Sequence, residues 1–174
     1  MSLPEATLSG RSTCDVCDAL KGDSTGALRV LPPGYASFGG RTAFAGPVRT
    51  VRCFEDNTSV KALLESPGHG AVLVVDGGGS LRRALVGGNI AAAAARNGWA
   101  GMLVHGAVRD VAELAACDVG LRALALVPLP TERLHPGEVD VPLQIQQVWV
   151  RPGDHLVADA DGIVVLDHAP QGTR

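Results

Sequence analysis

Apolar positions fall into short unbroken runs in the middle of the chain and into looser alternation towards its ends. "GAVLVVDGGGS" (70–80) is an apolar run stopped by an aspartate and three glycines, the pattern of a strand buried on both faces. "AGMLVHG" (100–106) is a second such strand, and "LRALALVPL" (121–129) is a third strand. Between them, "GGNIAAAAARNG" (87–98) predicts a helix that opens on a glycine pair and stops at Asn97-Gly98. "DVAELAAC" (110–117) predicts another. Upstream, "STCDVCDAL" predicts a helix near 13–20, with Ser12 or Thr13 as N-cap and Asp15 in the first turn. A Gly/Pro-rich loop, "PPGYASFGG", separates it from "TAFAGPVRTVRCF" (42–54), which alternates well enough for a strand despite Pro47. Asn57 is placed to cap a short helix over 58–65. The last third, "VDVPLQIQQVWVRPG", "DHLVADADG" and "IVVL", is β-rich.

Strand–helix–strand–helix–strand is the order of parallel βα units, and hairpin-rich ends call for further sheet. The expectation is an α/β fold with a parallel βα core and an additional β-rich layer. No linker, repeat or low-complexity segment divides residues 1–174, so a single domain is expected, with its core at about 12–166 and flexible ends.

Composition sharpens this by exclusion. With 46% apolar and 19% charged residues over 174 positions, the chain can bury a substantial core. Net charge is −3, aromatics are 3%, and there is no basic run, so direct nucleic-acid binding is not expected. Twelve residues, as in Ala84–Ala95, is the longest stretch without a charged side chain, too short to span a bilayer. No signal-peptide pattern opens the sequence, which makes the cytoplasm the expected location.

Candidate chemistry is sparse. Cys14-x-x-Cys17 has zinc or redox spacing, but no second Cys or His pair follows, and the same residues fit a capped helix. Gly77-Gly78-Gly79 lacks both the G-x-G-x-x-G spacing and the P-loop lysine, so it reads as a tight turn. His105 closes a buried strand and reads as a satisfied core residue; Asp76 reads as a structural acid bonding loop amides; Ser80 lacks a nucleophile elbow. Two features stay open. Gly87-Gly88-Asn89-Ile90 either turns the chain or presents helix-start amides to an anion. Arg109-Asp110, just past a strand end, is either a surface arginine beside an N-cap or a guanidinium for a carboxylate beside a hard oxygen ligand for Mg²⁺ or Mn²⁺.

Taken in order, "FGGRTAFAGPVRTVRCFEDN" (38–57), "VLVVDGGGSLRRALVGGNIA" (72–91), "NGWAGMLVHGAVRD" (97–110) and "GEVDVPLQIQQVWVRPGDHLVADADGIVVL" (137–166) resemble the RraA/MenG family, over most of residues 12–166. The resemblance implies a β/β/α swivelling-type domain, a homotrimer with the site between protomers, and one of two functions. One is class II, divalent-metal-dependent aldol cleavage of 4-hydroxy-4-methyl-2-oxoglutarate-type 2-oxo acids to pyruvate, with oxaloacetate decarboxylation as a side activity. The other is inhibition of a ribonuclease E-type partner by protein contact. An older methyltransferase label finds no S-adenosylmethionine loop here. Residue by residue, the resemblance puts Arg109 on the substrate as the catalytic cation, Asp110 on Mg²⁺ or Mn²⁺, and the backbone of Gly87, Gly88, Asn89 and Ile90 around the substrate carboxylate. The metal and Arg109 would stabilise the pyruvate enolate left by cleavage. One departure stands out: aldolase-active members resemble Asp, twenty residues, then Arg-Asp, and the acid's place is taken here by Gly88. Both lysines, Lys21 and Lys61, lie outside the two crevice segments, which favours the metal route over a Schiff base.

Overall fold

The structure is a computed structural model that describes residues 10–167. The ends expected to be flexible, and His168 with them, lie outside the described residues. The chain runs α1 (Thr13–Leu20), β1 (Leu28–Val30), β2 (Ala36–Ser37), β3 (Phe44–Arg52), α2 (Thr58–Leu64), β4 (Val72–Asp76), β5 (Ala84–Val86), α3 (Gly88–Arg96), β6 (Gly101–Val108), α4 (Val111–Ala116) and β7 (Gly120–Leu126). Short strands follow: β8 (Glu138–Val139), β9 (Leu143–Ile145), β10 (Val148–Val150), β11 (His155–Ala158) and β12 (Ile163–Leu166).

Strands β3, β4, β6 and β7 pair in parallel, joined by crossovers that carry α2, α3 and α4. Alternation along each strand sorts the apolar run onto two faces. Leu73, Val75, Met102, Val104, Leu121 and Ala123 join the cluster that includes Val60, Leu64, Ala91 and Leu114 of the helices. Val72, Val74 and Leu103 point the other way, into a cluster with Leu143, Ile145, Leu156, Ile163 and Val165. A β-rich layer therefore covers the face that the helices leave. Helix α1 lies on the outside of that layer, with Val16 packed against Val157, Val164 and Leu166. This is the α/β architecture with an added β layer that the apolar pattern predicts.

Strand β3 belongs to both layers. Its first half, Phe44–Pro47, pairs antiparallel with β11, and its second half, Val48–Arg52, pairs parallel with β4. Pro47, which has no N–H to give a ladder, stands at the hand-over between partners. That placement is why a proline is tolerated inside this strand.

The predicted helices stand close to their expected limits, but two caps differ from expectation. Ser12 does cap α1, and Asp15 completes the capping box. Asn57, however, makes no capping bond to α2. The Asp56 carboxylate takes the Thr58 amide at 2.8 Å, which releases the Asn57 side chain to donate to the Leu85 carbonyl at 3.0 Å. Among the described residues no helix is long and apolar enough to cross a membrane.

Candidate functional site

Two strand-to-helix junctions lie side by side at the carboxyl ends of the parallel strands. β5 runs parallel to the end of β6, with Ala84 opposite Ala107 and Val86 opposite Val108. The Arg109 amide extends this ladder, donating to the Val86 carbonyl at 3.0 Å. Immediately beyond, each segment turns into a helix, through Gly87 into α3 and through Asp110 into α4. This pairing brings Gly88 and Asp110 together although they are 22 residues apart.

Asp110 occupies the N-cap position of α4 but has φ 65° and ψ 49°, in the left-handed region, and makes no capping bond to its own helix. Of the two readings open for this residue, the own-helix side-chain cap is not formed. Its Oδ2 accepts instead from the amide of Gly88, the first residue of α3, at 3.0 Å. Arg109 Nε lies 3.7 Å from the same oxygen, and its Nη1 donates to the Pro128 carbonyl at 3.4 Å. A side chain at Gly87 would disturb this pair, because a Cβ there would stand 2.6 Å from Asp110 Oδ2 and 3.3 Å from Arg109 Cγ. At Gly88 a Cβ would overlap the carboxylate of Glu113. The space that a side chain at 88 would need is filled by an acid reaching over from α4.

These residues wall a cavity of about 410 Å³. Gly87, Asn89, Ile90, Arg109 and Asp110 all line it, and Gly88 stands behind Asp110. Because the Gly88 amide is engaged by Asp110, the first-turn amides of α3 that remain for an incoming anion are those of Asn89 and Ile90. Lys61 and Arg133 line the same cavity, giving three cationic side chains beside one carboxylate. The presence of Lys61 corrects the expectation of a crevice without lysine. Its ammonium, however, is ion-paired to Glu65 one turn along α2, not desolvated as an imine-forming lysine must be.

Sequence reasoning missed four contributors. Lys61 follows Asn57 by one helical turn and Glu113 follows Asp110 by three residues, so helical spacing could have flagged both. For Asn57 the local pattern signals only a cap. Buried, its Oδ1 accepts from Arg133 Nε at 3.2 Å while its amide holds Leu85, so it braces the wall. Arg133 comes from an irregular segment with no periodic signal at all.

The other candidates resolve as structural. Gly77 and Gly79 both donate to the His105 carbonyl, at 3.0 and 3.1 Å, and Gly78 and Gly79 have φ 67° and 69°, which makes the glycine run a tight turn. Asp76 caps that turn, accepting from the Gly78 amide at 2.9 Å. His105 is half-buried, its Nδ1 2.8 Å from the Tyr35 hydroxyl. Burial pushes its pKa below the ordinary 6.5, against a smaller opposing pull from Asp76. All four cysteines are free, and no cluster of three or more metal-ligating side chains occurs among the described residues.

Comparison with known proteins places this arrangement. Residues 13–165 match the family described as RraA-like, Aldolase/RraA. A protein of Albidiferax ferrireducens, carrying the provisional name of a 4-hydroxy-4-methyl-2-oxoglutarate aldolase, is 63% identical over 162 residues, covering 88% of this chain and 94% of its own. A 4-hydroxy-4-methyl-2-oxoglutarate aldolase of Thermus thermophilus is 55% identical over 144 residues, covering 83% of this chain and 88% of its own. The solved structure of the RNA-processing inhibitor RraA from a Thermus species superposes with a TM-score of 0.85 at 50% identity, over 94% of this chain and 97% of that one. By sequence and by fold alike, the chain belongs to the RraA-like (Aldolase/RraA) family.

Proposed function

We propose that the chain is a divalent-metal-dependent carbon–carbon lyase that cleaves 4-hydroxy-4-methyl-2-oxoglutarate-type 2-oxo acids to pyruvate and decarboxylates oxaloacetate. The observation that carries this reading is Asp110. A carboxylate is held in a left-handed backbone conformation by the start of a neighbouring helix, at the wall of a cavity and beside a guanidinium. Such strain in a non-glycine residue collects where function needs a side chain aimed.

The residues present suit Mg²⁺ or Mn²⁺. Asp110 would hold the ion, with Glu113 one helical step away for its water shell. Mg²⁺ commonly takes only one or two carboxylates, keeping waters and substrate oxygens for the rest, so the sparse set of protein ligands fits it. When bound, the ion supplies a Lewis acid for the 2-oxo carboxylate group.

The chain's own groups do the remainder. The amides of Asn89 and Ile90 receive the substrate carboxylate at the positive end of α3. Arg109 stands where negative charge develops on the 2-oxo oxygen as the carbon–carbon bond breaks, and stabilises it as it forms. Cleavage and decarboxylation develop the same charge, so one site serves both. Lys61 and Arg133 match the second carboxylate that both substrates carry. Val111, Leu126 and Leu129, exposed and adjacent to cavity residues or paired beside them, suit burial by another protomer, in keeping with a homotrimer whose site is completed between subunits.

Arg109→Ala should lower oxaloacetate decarboxylation by about 10²–10³-fold with the fold intact, as loss of a charge-stabilising donor does elsewhere. Chelation should abolish turnover and Mg²⁺ or Mn²⁺ restore it. Full activity in either test would refute the assignment. Similarity to the RNA-processing inhibitor supports a second reading, a regulator that binds a ribonuclease E-type partner without catalysis. On that reading the protein shows no metal-dependent turnover, and partner capture survives Asp110→Ala and chelation.

A further inference from the structure

Arg122 is a buried cation that forms no ion pair among the described residues, although the Asp159 carboxylate acts on it at longer range. It lies on β7 between Leu121 and Ala123, which face the helices, so its side chain points to the opposite face of the sheet from the Arg109 cavity. It is 7% exposed. Its Nη2 donates to the Thr42 carbonyl at 2.9 Å and the Asp159 carbonyl at 2.5 Å, while its Nε is buried with no hydrogen-bond partner. Among the described residues no carboxylate lies within ion-pair distance of the guanidinium. The neighbouring acid, Asp159, is occupied elsewhere, accepting from the amide and hydroxyl of Thr13 at 2.6 and 2.7 Å. Buried charges are ordinarily paired, because an uncompensated ion in a low-dielectric site is strongly unfavourable.

Arg122 also forms part of the wall of a second cavity, of about 430 Å³. The rest of that wall is largely apolar: Leu31, Pro32, Pro33 and Ile163, with the Tyr35 ring. Among the described residues of the wall, Asp161, exposed, is the one carboxylate. A carboxylate would supply the acceptor that Nε lacks and the counter-charge the guanidinium lacks, the apolar wall matches a hydrocarbon body, and Asp161 disfavours a second negative charge. We propose that this cavity binds a short-chain aliphatic monocarboxylate, its carboxylate on Arg122 and its tail against Leu31, the prolines and Ile163.

The site is independent of the lyase reading, since it shares no residue with the Arg109 cavity. The test is calorimetric titration of butyrate into Arg109→Ala protein, in which the other anion site is weakened, with the Arg122 variants in the same background assigning the binding that remains. One saturable site per chain is expected, weakened at least about tenfold by Arg122→Met, as loss of a charge-assisted pair implies, and partly kept by Arg122→Lys. Should Arg122→Met fail to fold, Gly162→Leu serves instead. Gly162 is in the wall and a Cβ there meets nothing within 4 Å, so a larger side chain is accommodated without disturbing the core and is expected to crowd the cavity mouth and weaken butyrate. Inorganic phosphate should bind less tightly than butyrate. Equal affinity for phosphate, undiminished butyrate binding in both Arg122→Met and Gly162→Leu, or no saturable binding to the Arg109→Ala protein would each overturn the proposal. Absence of binding together with a changed sedimentation coefficient in Arg122→Met would assign the counter-charge to a second copy of the chain.

Discussion

Asp110 concentrates the tension between stability and function in one residue. Its left-handed backbone, φ 65° and ψ 49°, is unfavourable for a side-chain-bearing residue by about 1–2 kcal/mol, and the charge-assisted bond from Gly88 offsets roughly that much. Asp110→Gly removes both the strain and the bond, so urea denaturation should find it within about 1 kcal/mol of the parent while metal-dependent turnover is lost. Asp110→Ala keeps the strain and loses the bond, so it should be the less stable of the two. If alanine is tolerated as well as glycine, the strain is not real. Gly88 is fixed by a neighbour rather than by its own backbone. Its would-be Cβ meets Glu113, so Gly88→Ala should lower stability by about 1–3 kcal/mol, as overpacking does, and Glu113→Ala in the same chain should recover only the part due to the carboxylate, because the Cβ of residue 113 stays 2.7 Å away. The sequence displayed the ion pair and the glycine pair and pointed both at one crevice, but did not show the bond that joins Asp110 to Gly88. Only the parallel pairing of β5 with β6 makes residues 88 and 110 neighbours, and no local pattern encodes that contact.

Elements were legible in proportion to the length and burial of their apolar runs. β4, β6, β7 and α3 declared themselves because unbroken apolar stretches closed by glycine leave few alternatives. β5 did not. It has three residues, follows two arginines, and exists because β6 runs on past β4 to Val108 and offers it a partner. The double membership of β3 was equally hidden, since alternation looks the same whichever sheet a residue joins. The joint between the layers is held by Phe44, whose ring rests against Gly101 of β6 and Gly120 of β7, a cross-strand pair. A Cβ at either glycine would overlap that ring. Phe44→Ala should destabilise by about 3–5 kcal/mol through the void it leaves. Gly120→Ala should destabilise on its own but much less in the Phe44→Ala background, where the void accepts the methyl group. Midpoints of chemical denaturation for the four proteins measure that coupling, and strict additivity would mean the ring does not define the joint.

For the molecule as a whole, pH tests whether polar groups under the core act as the geometry says. Two buried or half-buried groups carry this test, in separate windows. His105, bonded to Tyr35, has its pKa held below 6.5 by burial, so the unfolded chain takes up its proton first as pH falls. Stability from the neutral imidazole is complete above pH 6.5 and declines below it, until the folded protein is protonated too. Asp56 acts in the same direction, in a more acidic window. Burial alone would raise its pKa, but amides of Thr58, His135 and Leu134, at 2.8, 2.8 and 2.6 Å, together hold it below the ordinary 3.8. Its contribution is present above that value and is lost as pH falls through the folded pKa. Because Asp56 ties the segment beside Arg133 to the start of α2, losing it should also loosen the cavity wall. Melting temperatures from pH 8 to pH 3 should therefore fall in two stages, and His105→Gln should flatten the first while leaving the second. A first stage that survives the substitution unchanged would show that another group, not the imidazole facing Tyr35, governs the molecule's response to mild acid.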